Sequence, residues 1–316
     1  MKADSYDRTT LVAIFLGIDG GGSKTSCLIG DETSILGAGT AGGSNPVRVG
    51  EAQAREALAT AIRQACAVAN VNPSQIQGTC VGLAGAARPE ISEPVRQCIA
   101  EFVPSEIDVV GDMVIALEAA FGSEPGVIVI AGTGSIAYGR NSKGQTARAG
   151  GWGFAISDEG SGHWIGRAAV AAAVRALDDD AEATNQSLLE SLMKFWQVKT
   201  REQLVVAANA TPPPDFAALF PAVLASADRG DRIALDVLAQ AGGELASVAR
   251  RVITRLFANA GTLSVAMSGG VFGSSPLVRQ VFYNSLRSEH PEAAINPSVI
   301  EPVRGALALA RKAAAK

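Results

Sequence analysis

Residues 11–25 read LVAIFLGIDGGGSKT, and the pattern of this stretch decides the fold. Its first part, Leu11–Ile18, is continuous and apolar, which is typical of a β-strand covered on both faces. The glycine turn Asp19–Thr25 comes next, and Ser26–Ile29 and Ser34–Gly37 after it have the composition of extended strands. The sequence therefore predicts a glycine turn set between two strands of a hairpin or meander.

A second glycine turn repeats this arrangement later in the chain. The apolar strand Gly126–Ala131 leads into Gly132–Ser135, and a second β-type segment, Ile136–Gly139, follows at once. No low-complexity tract or short-period repeat competes with this similarity. Order and chemistry are the same in both places, so we predict an internal structural duplication.

Both turns have the chemistry of phosphate-binding loops. Gly17 and Gly22 nearly match the spacing of a P-loop, but Ser23 separates Gly22 from Lys24, and a strand follows instead of the helix that P-loops and dinucleotide motifs require. Glycines permit positive φ angles and close approach, so successive backbone N–H groups can converge on an anion without a helix. A single glycine turn is usually only a turn, whereas two in duplicated units favour phosphate binding. The candidate phosphate-binding residues are Gly20, Gly21, Gly22, Ser23, Lys24 and Thr25 in the first turn and Gly132, Thr133, Gly134 and Ser135 in the second.

Two carboxylates accompany these turns. Asp19 ends the first strand, and a carboxylate beside phosphates is repulsive unless a cation lies between them, so Asp19 is a candidate Mg²⁺ ligand acting through water. The alternative is a turn-forming Asp before Gly. Asp112 lies between the predicted strand Ile107–Val110 and the predicted helix Met113–Phe121. It is either a helix N-cap or a general base for an attacking hydroxyl, kept ionised by the helix N-terminus.

Other segments have the composition of a carbohydrate site. The Asn45 carboxamide can donate and accept at once, which suits vicinal hydroxyls, although Asn before Pro also forms simple turns. Gly150–Gly153 and Ser157–Ser161 combine glycines, carboxylates and a large aromatic ring. Asp158 and Glu159 have an alternative role as N-terminal charges of a helix starting at Gly160. The candidate sugar-binding residues are Asn45, Gly151, Trp152, Asp158 and Glu159.

The remaining elements alternate between helices and strands, as in an α/β protein. The predicted helices are Val49–Asn70, Ile91–Phe102, most of Gly160–Phe257 with a break at residues 211–214, a helix starting near Ser275, and Pro302–Ala315; the predicted strands are Gly78–Leu83 and Leu263–Met267.

Length and composition limit the function. A chain of 316 residues suits two domains, and 47% hydrophobic residues allow a large core. The formal net charge of −4 shows no basic footprint, so we expect no nucleic-acid partner. The run Leu11–Ile18 is too short to span a membrane, so we expect no membrane partner. The four scattered cysteines indicate buried, reduced thiols and a cytoplasmic location.

Taken together, these segments resemble the ASKHA superfamily of sugar kinases, heat-shock-70 proteins and actin. More closely, they resemble the BadF/BcrA ATPase family, which contains the N-acetylglucosamine kinases. The resemblance extends from Leu16 to Ala310 and is most specific at Gly132–Ser135, Gly150–Gly153 and Asp158–Ser161. It implies an α/β fold of two ribonuclease H-like lobes with a nucleotide and sugar cleft between them and helical insertions in the second lobe. The implied lobes are residues 1–118 and 119–301, with a helix at about 302–316 packing back on the first lobe.

The resemblance also implies roles for single residues. The two glycine turns match the family's ATP phosphate loops, and Ser268–Val271 matches its adenosine loop, which adds Gly269 and Gly270 as nucleotide contacts. Asp112 matches the catalytic base. Asn45, Trp152 and Asp158 match sugar contacts. The implied activity is ATP- and Mg²⁺-dependent phosphorylation of an amino sugar, first of all N-acetylglucosamine at its 6-hydroxyl.

Several alternatives stay open at this point. The acceptor is alternatively glucosamine or N-acetylmuramic acid, and the chain is alternatively a non-catalytic sugar sensor or an ATP-dependent regulator. No cysteine follows Cys98, which argues against the iron–sulfur activators of the same family, and the zinc-motif cysteines of ROK sugar kinases are absent. The resemblance is also compatible with a homodimer.

Overall fold

The computed structural model describes residues 12–179, 187–258 and 263–315. The chain divides into two compact units, one ending at Ala119 but including the segment from Pro302 onward, and one spanning Ala120–Glu301. Each unit contains one five-stranded sheet. Within these described ranges, no helix has both the length and the apolarity needed to cross a bilayer.

The first unit is a mixed sheet with helices on both faces. Its elements are β1 Ile14–Gly20, β2 Lys24–Gly30, β3 Ile35–Gly42, α1 Pro46–Val49, α2 Glu51–Ala69, β4 Ile76–Leu83, α3 Pro89–Ala100, β5 Glu106–Val110 and α4 Asp112–Phe121. The strand order is β3-β2-β1-β4-β5. The first three strands form an antiparallel meander, and β4 and β5 extend the sheet in parallel to β1.

The second unit repeats this sheet and adds a helical region. Its elements are β6 Gly126–Ala131, β7 Ser135–Arg140, β8 Thr146–Gly150, α5 Gly162–Asp179, α6 Ser187–Phe195, α7 Arg201–Ala208, α8 Phe220–Asp228, α9 Arg232–Leu256, β9 Leu263–Ser268, α10 Gly270–Ser274, α11 Pro276–Glu289 and β10 Ala293–Ile300. The chain then ends in α12, Pro302–Ala314. The order β8-β7-β6-β9-β10 matches the order of the first sheet element for element. The predicted duplication is confirmed.

Alternation along β1 assigns its residues to two apolar layers. Leu16 and Ile18 pack with residues of α2 and α3, whereas Phe15 packs with residues of α4 and α12. Gly17 faces the second layer, and a Cβ atom there would overlap the backbone of Leu307 on α12. Close helix packing therefore explains Gly17, which the sequence had placed in a near-match to a P-loop.

Two parts of the sequence prediction need correction. The helix predicted over Val49–Asn70 begins at Glu51 instead, because Gly50 has φ +81° and separates α2 from the short helix α1. β8 and β10 were not predicted. β8 reads TARAG and has few strand-forming residues, and β10 contains Pro297, which is tolerated at a sheet edge beside a register shift. The first residue of the predicted strand Leu11–Ile18 lies outside the described residues, as do residues 180–186 of the predicted helical region.

Candidate functional site

The first glycine turn is fixed by backbone hydrogen bonds to the segment that follows β3. Gly21 N–H donates to the Lys24 carbonyl at 3.0 Å and closes the hairpin. The Gly21 carbonyl accepts from the backbone N–H groups of Ser44 and Asn45 at 3.0 and 3.3 Å. Thr25 is fully buried, and its hydroxyl donates to the Gly42 carbonyl at 2.7 Å. The Thr25 hydroxyl therefore anchors the turn, while Ser23 and Lys24 stay exposed on it.

Ser44 is a residue that the sequence analysis did not select. Its side chain is fully buried, and its Oγ has no hydrogen-bond partner within the described part of the chain. Oγ lies 3.0 Å from the position that a Cβ of Gly20 would occupy. An unsatisfied buried hydroxyl costs about 1–3 kcal/mol, and such groups often mark a site. Its only sequence signal was its place next to Asn45.

The first sheet brings Asp19 and Asp112 to the same edge. Asp19 pairs with Gly82 on β4, and Gly82 pairs with Val110 on β5, so β1 and β5 end together. Side chains alternate along β1, so Asp19 is on the same side of the sheet as Phe15, which is the side that α4 covers. Asp112 is the first residue of that helix, and its Oδ1 accepts from Met113 N–H at 2.9 Å. Asp112 is thus the first residue within the helix and not its N-cap, and it lies next to Asp19.

The electrostatics of this pair fit a cation. Burial and, to a lesser extent, the neighbouring Asp112 carboxylate raise the pKa of Asp19 to about 7, and the Lys24 ammonium opposes both. Burial also raises the pKa of Asp112, against the opposing Met113 hydrogen bond. Two carboxylates that destabilise each other are relieved by a positive charge between them. Among the described residues, no group of three or more His, Cys, Asp or Glu side chains that could hold a metal ion occurs. Mg²⁺ usually takes one or two protein carboxylates and completes its shell with water and phosphate.

Asn45 has the turn role that the sequence left as an alternative. It is the N-cap of α1, and its Oδ1 accepts from Val47 N–H at 3.1 Å. One lone pair of its carboxamide oxygen is therefore used locally. The Nδ2 donor is the group on which a contact to a sugar hydroxyl would depend.

The second glycine turn is fixed by the segment that leads into α5. Gly132 N–H donates to the Gly134 carbonyl at 2.9 Å, within the turn. The carbonyls of Gly132 and Thr133 accept from the first two N–H groups of α5, at 2.8 and 3.2 Å. Ser135 is buried, and its hydroxyl donates to the Glu159 carbonyl at 2.8 Å. Ser135 therefore anchors this turn as Thr25 anchors the first.

Asp158 lies directly against this turn. Its side chain is 8% exposed, its φ is +67°, and its Oδ1 accepts from Ser135 N–H at 3.4 Å. Its carboxyl atoms lie 2.9–3.3 Å from the position that a Cβ of Gly134 would occupy. Burial raises the pKa of Asp158, the Ser135 hydrogen bond lowers it, and Glu159 raises it. The Glu159 carboxylate itself accepts from the Ser157 hydroxyl at 2.7 Å.

The predicted helix start at Gly160 is wrong by two residues. α5 begins at Gly162, and the Ser161 hydroxyl accepts from Trp164 N–H at 3.1 Å, as an N-cap does. Asp158 and Glu159 precede that cap. Their position against the glycine turn therefore has a cause other than helix capping.

The aromatic segment after β8 is exposed and rich in positive φ angles. Trp152 is 62% exposed, and the Arg148 guanidinium lies 4.2 Å from its ring centroid. Phe154 is also exposed and lies 5.0 Å from the His163 ring, centroid to centroid. Gly151 has φ +67°, and a Cβ there would crowd the Ile136 side chain. The local backbone conformation and packing therefore require glycine at this position. Large apolar side chains left exposed together are typical of a binding surface.

The candidate adenosine loop adjoins the second glycine turn. β9 runs parallel to β6, with Ser268 in register with Ile130. Gly269 has φ +99°, and a Cβ there would overlap the Ala131 carbonyl and lie 3.0 Å from Gly132 N. Gly270 begins α10. The second sheet thus brings the predicted nucleotide residues of this unit to one edge.

Comparisons with known proteins found relatives that match almost the whole chain. The chain is 31% identical over 301 residues to the N-acetylmuramic acid/N-acetylglucosamine kinase of Clostridium acetobutylicum, covering 94% of this chain and 97% of that protein. It is 28% identical to the N-acetyl-D-glucosamine kinase of Dictyostelium discoideum, again covering 94% and 97%. A Chromobacterium violaceum protein provisionally assigned as an N-acetylglucosamine kinase has a solved structure with TM-score 0.73 and 27% identity, covering 95% and 99% of the two chains.

These similarities confirm the two-lobe α/β fold and the resemblance inferred from the glycine turns. The model of the BadF/BadG/BcrA/BcrD ATPase family matches residues 16–310. This range includes every candidate site residue and all of both sheets except Ile14 and Phe15. The chain therefore belongs to the BadF/BadG/BcrA/BcrD ATPase family.

Proposed function

We propose that this chain is an ATP-dependent amino-sugar kinase that phosphorylates the 6-hydroxyl of N-acetylglucosamine. The single observation that carries the proposal is the coupled pair Asp19 and Asp112 at one edge of the first sheet. A sugar sensor needs neither carboxylate, whereas phosphoryl transfer to a hydroxyl needs charge neutralisation and a proton acceptor. The kinases of Clostridium acetobutylicum and Dictyostelium discoideum support the substrate class.

Asp112 is the general base in this proposal. Burial raises its pKa, which makes the ionised carboxylate a stronger proton acceptor than a solvated one. As the sugar oxygen bonds to the γ-phosphorus of ATP, the bond from that phosphorus to the bridging oxygen breaks and leaves ADP. The hydroxyl proton passes to Asp112. The Met113 N–H holds one carboxylate oxygen, so the base is oriented before the acceptor arrives.

Asp19 is the residue that holds hydrated Mg²⁺. When bound, Mg²⁺ neutralises phosphate oxygens as charge develops during transfer. The residues contributed by this chain are Asp19, whose carboxylate is poorly compensated by protein groups, and the backbone donors of the two glycine turns. Gly269 and Gly270 lie where they can approach the nucleotide in the second unit.

The acceptor is bound by Asn45, Gly151, Trp152, Asp158 and Glu159. Trp152 offers an apolar face, and the carboxylates accept from hydroxyls. N-acetylmuramic acid is the second candidate acceptor. The name of the Clostridium acetobutylicum relative includes it, and Arg148 beside Trp152 supplies a cation for its carboxylate.

The test is a coupled assay of ADP release over N-acetylglucosamine, N-acetylmuramic acid, glucosamine, N-acetylmannosamine and glucose. We expect the highest kcat/KM with N-acetylglucosamine. Sugar-independent ATP hydrolysis across the whole panel would instead indicate a regulatory ATPase.

Asp112→Asn tests the base. We expect kcat to fall at least ~10²-fold while sugar binding survives, since general-base catalysis contributes about 10²–10⁴-fold. Asp108→Asn is the matched control. It removes the same charge from an exposed residue of the preceding strand β5. Near-normal turnover by Asp112→Asn would contradict the assignment.

A further inference from the structure

The second glycine turn is hydrogen-bonded to residues 158–163, a segment that includes the proposed sugar contacts Asp158 and Glu159. Four hydrogen bonds join residues 158–163 to this turn: Ser135 N–H to Asp158, the Ser135 hydroxyl to Glu159, and the Gly162 and His163 N–H groups to Gly132 and Thr133. The segment proposed to contact the sugar therefore also holds the turn proposed to contact ATP. A structural change in the segment therefore alters the turn directly, and a change in the turn alters the segment.

The Asp158 carboxylate is an unusual component of this hydrogen-bonded arrangement. An anion-binding turn ordinarily presents N–H groups to its ligand, and a negative charge beside it opposes the phosphates. The carboxyl atoms nevertheless lie 2.9–3.3 Å from the position of a Gly134 Cβ. The Ser135 hydrogen bond, at 3.4 Å, is long and compensates the charge weakly.

The backbone conformation of Asp158 has an energetic cost. A φ of +67° is uncommon for a residue other than glycine, although Asp and Asn tolerate it better than most. Burial and Glu159 both raise the pKa of Asp158, so its ionised form is destabilised as the protein stands. Strain and a poorly solvated charge at one residue are typical of functional positions.

We propose that Asp158 is a positioning residue that couples the two substrates: its carboxylate weakens ATP binding at Gly132–Ser135 until an acceptor hydroxyl donates to it. The proposal rests on the amino-sugar kinase function. A hydroxyl that donates to the carboxylate spreads its charge and so reduces the repulsion of the phosphates. By linkage, ATP strengthens acceptor binding by the same factor.

The test measures the dissociation constant of a non-hydrolysable ATP analogue with Mg²⁺, without and with saturating N-acetylglucosamine. For the wild-type chain we expect the sugar to tighten analogue binding at least ~5-fold, the lower end of usual coupling. For Asp158→Asn we expect a ratio near one, because analogue binding without sugar becomes tighter. Asn tolerates the same backbone conformation, so the fold is retained.

Two further variants make the result specific. Asp158→Gly removes the carboxylate and relaxes the positive φ, so it replaces Asp158→Asn if that variant melts early and should show the same loss of coupling. Asp236→Asn removes an equal charge from an exposed position on α9 that has no proposed role in the site, and should keep the ratio within about twofold of wild type.

Each outcome has one meaning. A wild-type chain that binds neither analogue nor sugar contradicts the kinase function and the coupling together. A wild-type chain that binds both with a ratio of one contradicts only the coupling. The coupling is also overturned if Asp158→Asn keeps the wild-type ratio, if it weakens analogue binding without sugar, or if Asp236→Asn abolishes the ratio equally.

Discussion

The two glycine turns share a frame and differ in the side chains around it. Each closes the hairpin between the first two strands of its sheet, and Gly20–Thr25 and Ala131–Ser135 are the equivalent last pairs. Thr25 and Ser135 are both buried and both donate to a backbone carbonyl. The duplicated strands thus supply the same anchored hairpin turn twice.

The carboxylates show how the two turns diverged. In the first unit the carboxylate belongs to the strand itself, at Asp19. The equivalent residue of the second unit is Ile130, and the carboxylate there is Asp158, from the segment before α5. The hairpin frame is therefore common to both units, whereas the carboxylates come from different elements. We infer that both turns contact ATP, that the carboxylate beside the first turn serves the cation, and that the carboxylate beside the second turn serves the acceptor.

Removing the strand carboxylate should have the largest effect. Asp19→Asn is expected to lower kcat/KM at least ~10²-fold, the scale of losing one preorganised electrostatic group, and to raise the Mg²⁺ concentration needed for half-maximal rate. A Mg²⁺ titration of initial rates measures both. An unchanged Mg²⁺ dependence would place the cation elsewhere and end the distinction between the turns.

Alanine substitutions at two glycines near the turns should distinguish a role in packing from a role in phosphate binding. Gly17→Ala places a Cβ in the backbone of α12, so we expect about 1–3 kcal/mol of lost stability in chemical denaturation. Gly132→Ala meets no atom within 4 Å and has no positive φ, so its stability should stay near wild type. Its KM for ATP should rise instead, because the added methyl group limits the approach of a phosphate. Equal stability loss in both variants would contradict this separation.

The pH dependence of stability should report Asp19 in the metal-free protein. Its ordinary pKa is 3.8 and its folded pKa is about 7, so the folded chain binds more protons than the unfolded chain between these values. The free energy of unfolding therefore falls as pH rises through this interval. Asp19→Asn lacks this loss, so its Tm should exceed that of wild type by an amount that grows from about pH 4 to about pH 7. A constant difference across the interval would contradict the raised pKa.

The smallest effect should come from the side chain that orients Trp152. Arg148→Gln removes a cation–π contact of about 0.5–1 kcal/mol at an exposed site, so KM for N-acetylglucosamine should rise about 2–5-fold. KM for ATP should not change. The same variant assayed with N-acetylmuramic acid tests whether Arg148 also binds a carboxylate, since a larger rise is then expected. Equal effects on both sugars would limit Arg148 to orienting the ring.

Much of the first sheet could be predicted because its signals are local. The apolar run before Asp19, the glycine turn and the β-type residues after it define the hairpin, and the repetition at Gly132 indicates the second sheet. β8 and β10 could not be predicted, because their alanines, glycine and Pro297 have low strand propensity. Both strands depend on pairing with the neighbouring strand of the sheet.

The site was predictable to the level of residue type but not of contacts. Asp19, Asp112 and Asp158 stand out by their positions after strands or between glycines. Their surroundings depend on register and packing: Asp112 accepts from Met113 N–H at the start of α4, Asn45 caps α1, and Asp158 lies against Gly134. Ser44 had no signal of its own, because its burial beside Gly20 exists only in the folded chain.

The most direct test of the account is the product of the reaction itself. The purified chain would be incubated with ATP, Mg²⁺ and N-acetylglucosamine, and phosphorus NMR would follow the transferred phosphoryl group. The account predicts a phosphate ester coupled to the protons at carbon 6 of the sugar, formed together with ADP and lost in Asp112→Asn. Release of inorganic phosphate alone, or an ester at another hydroxyl, would contradict it.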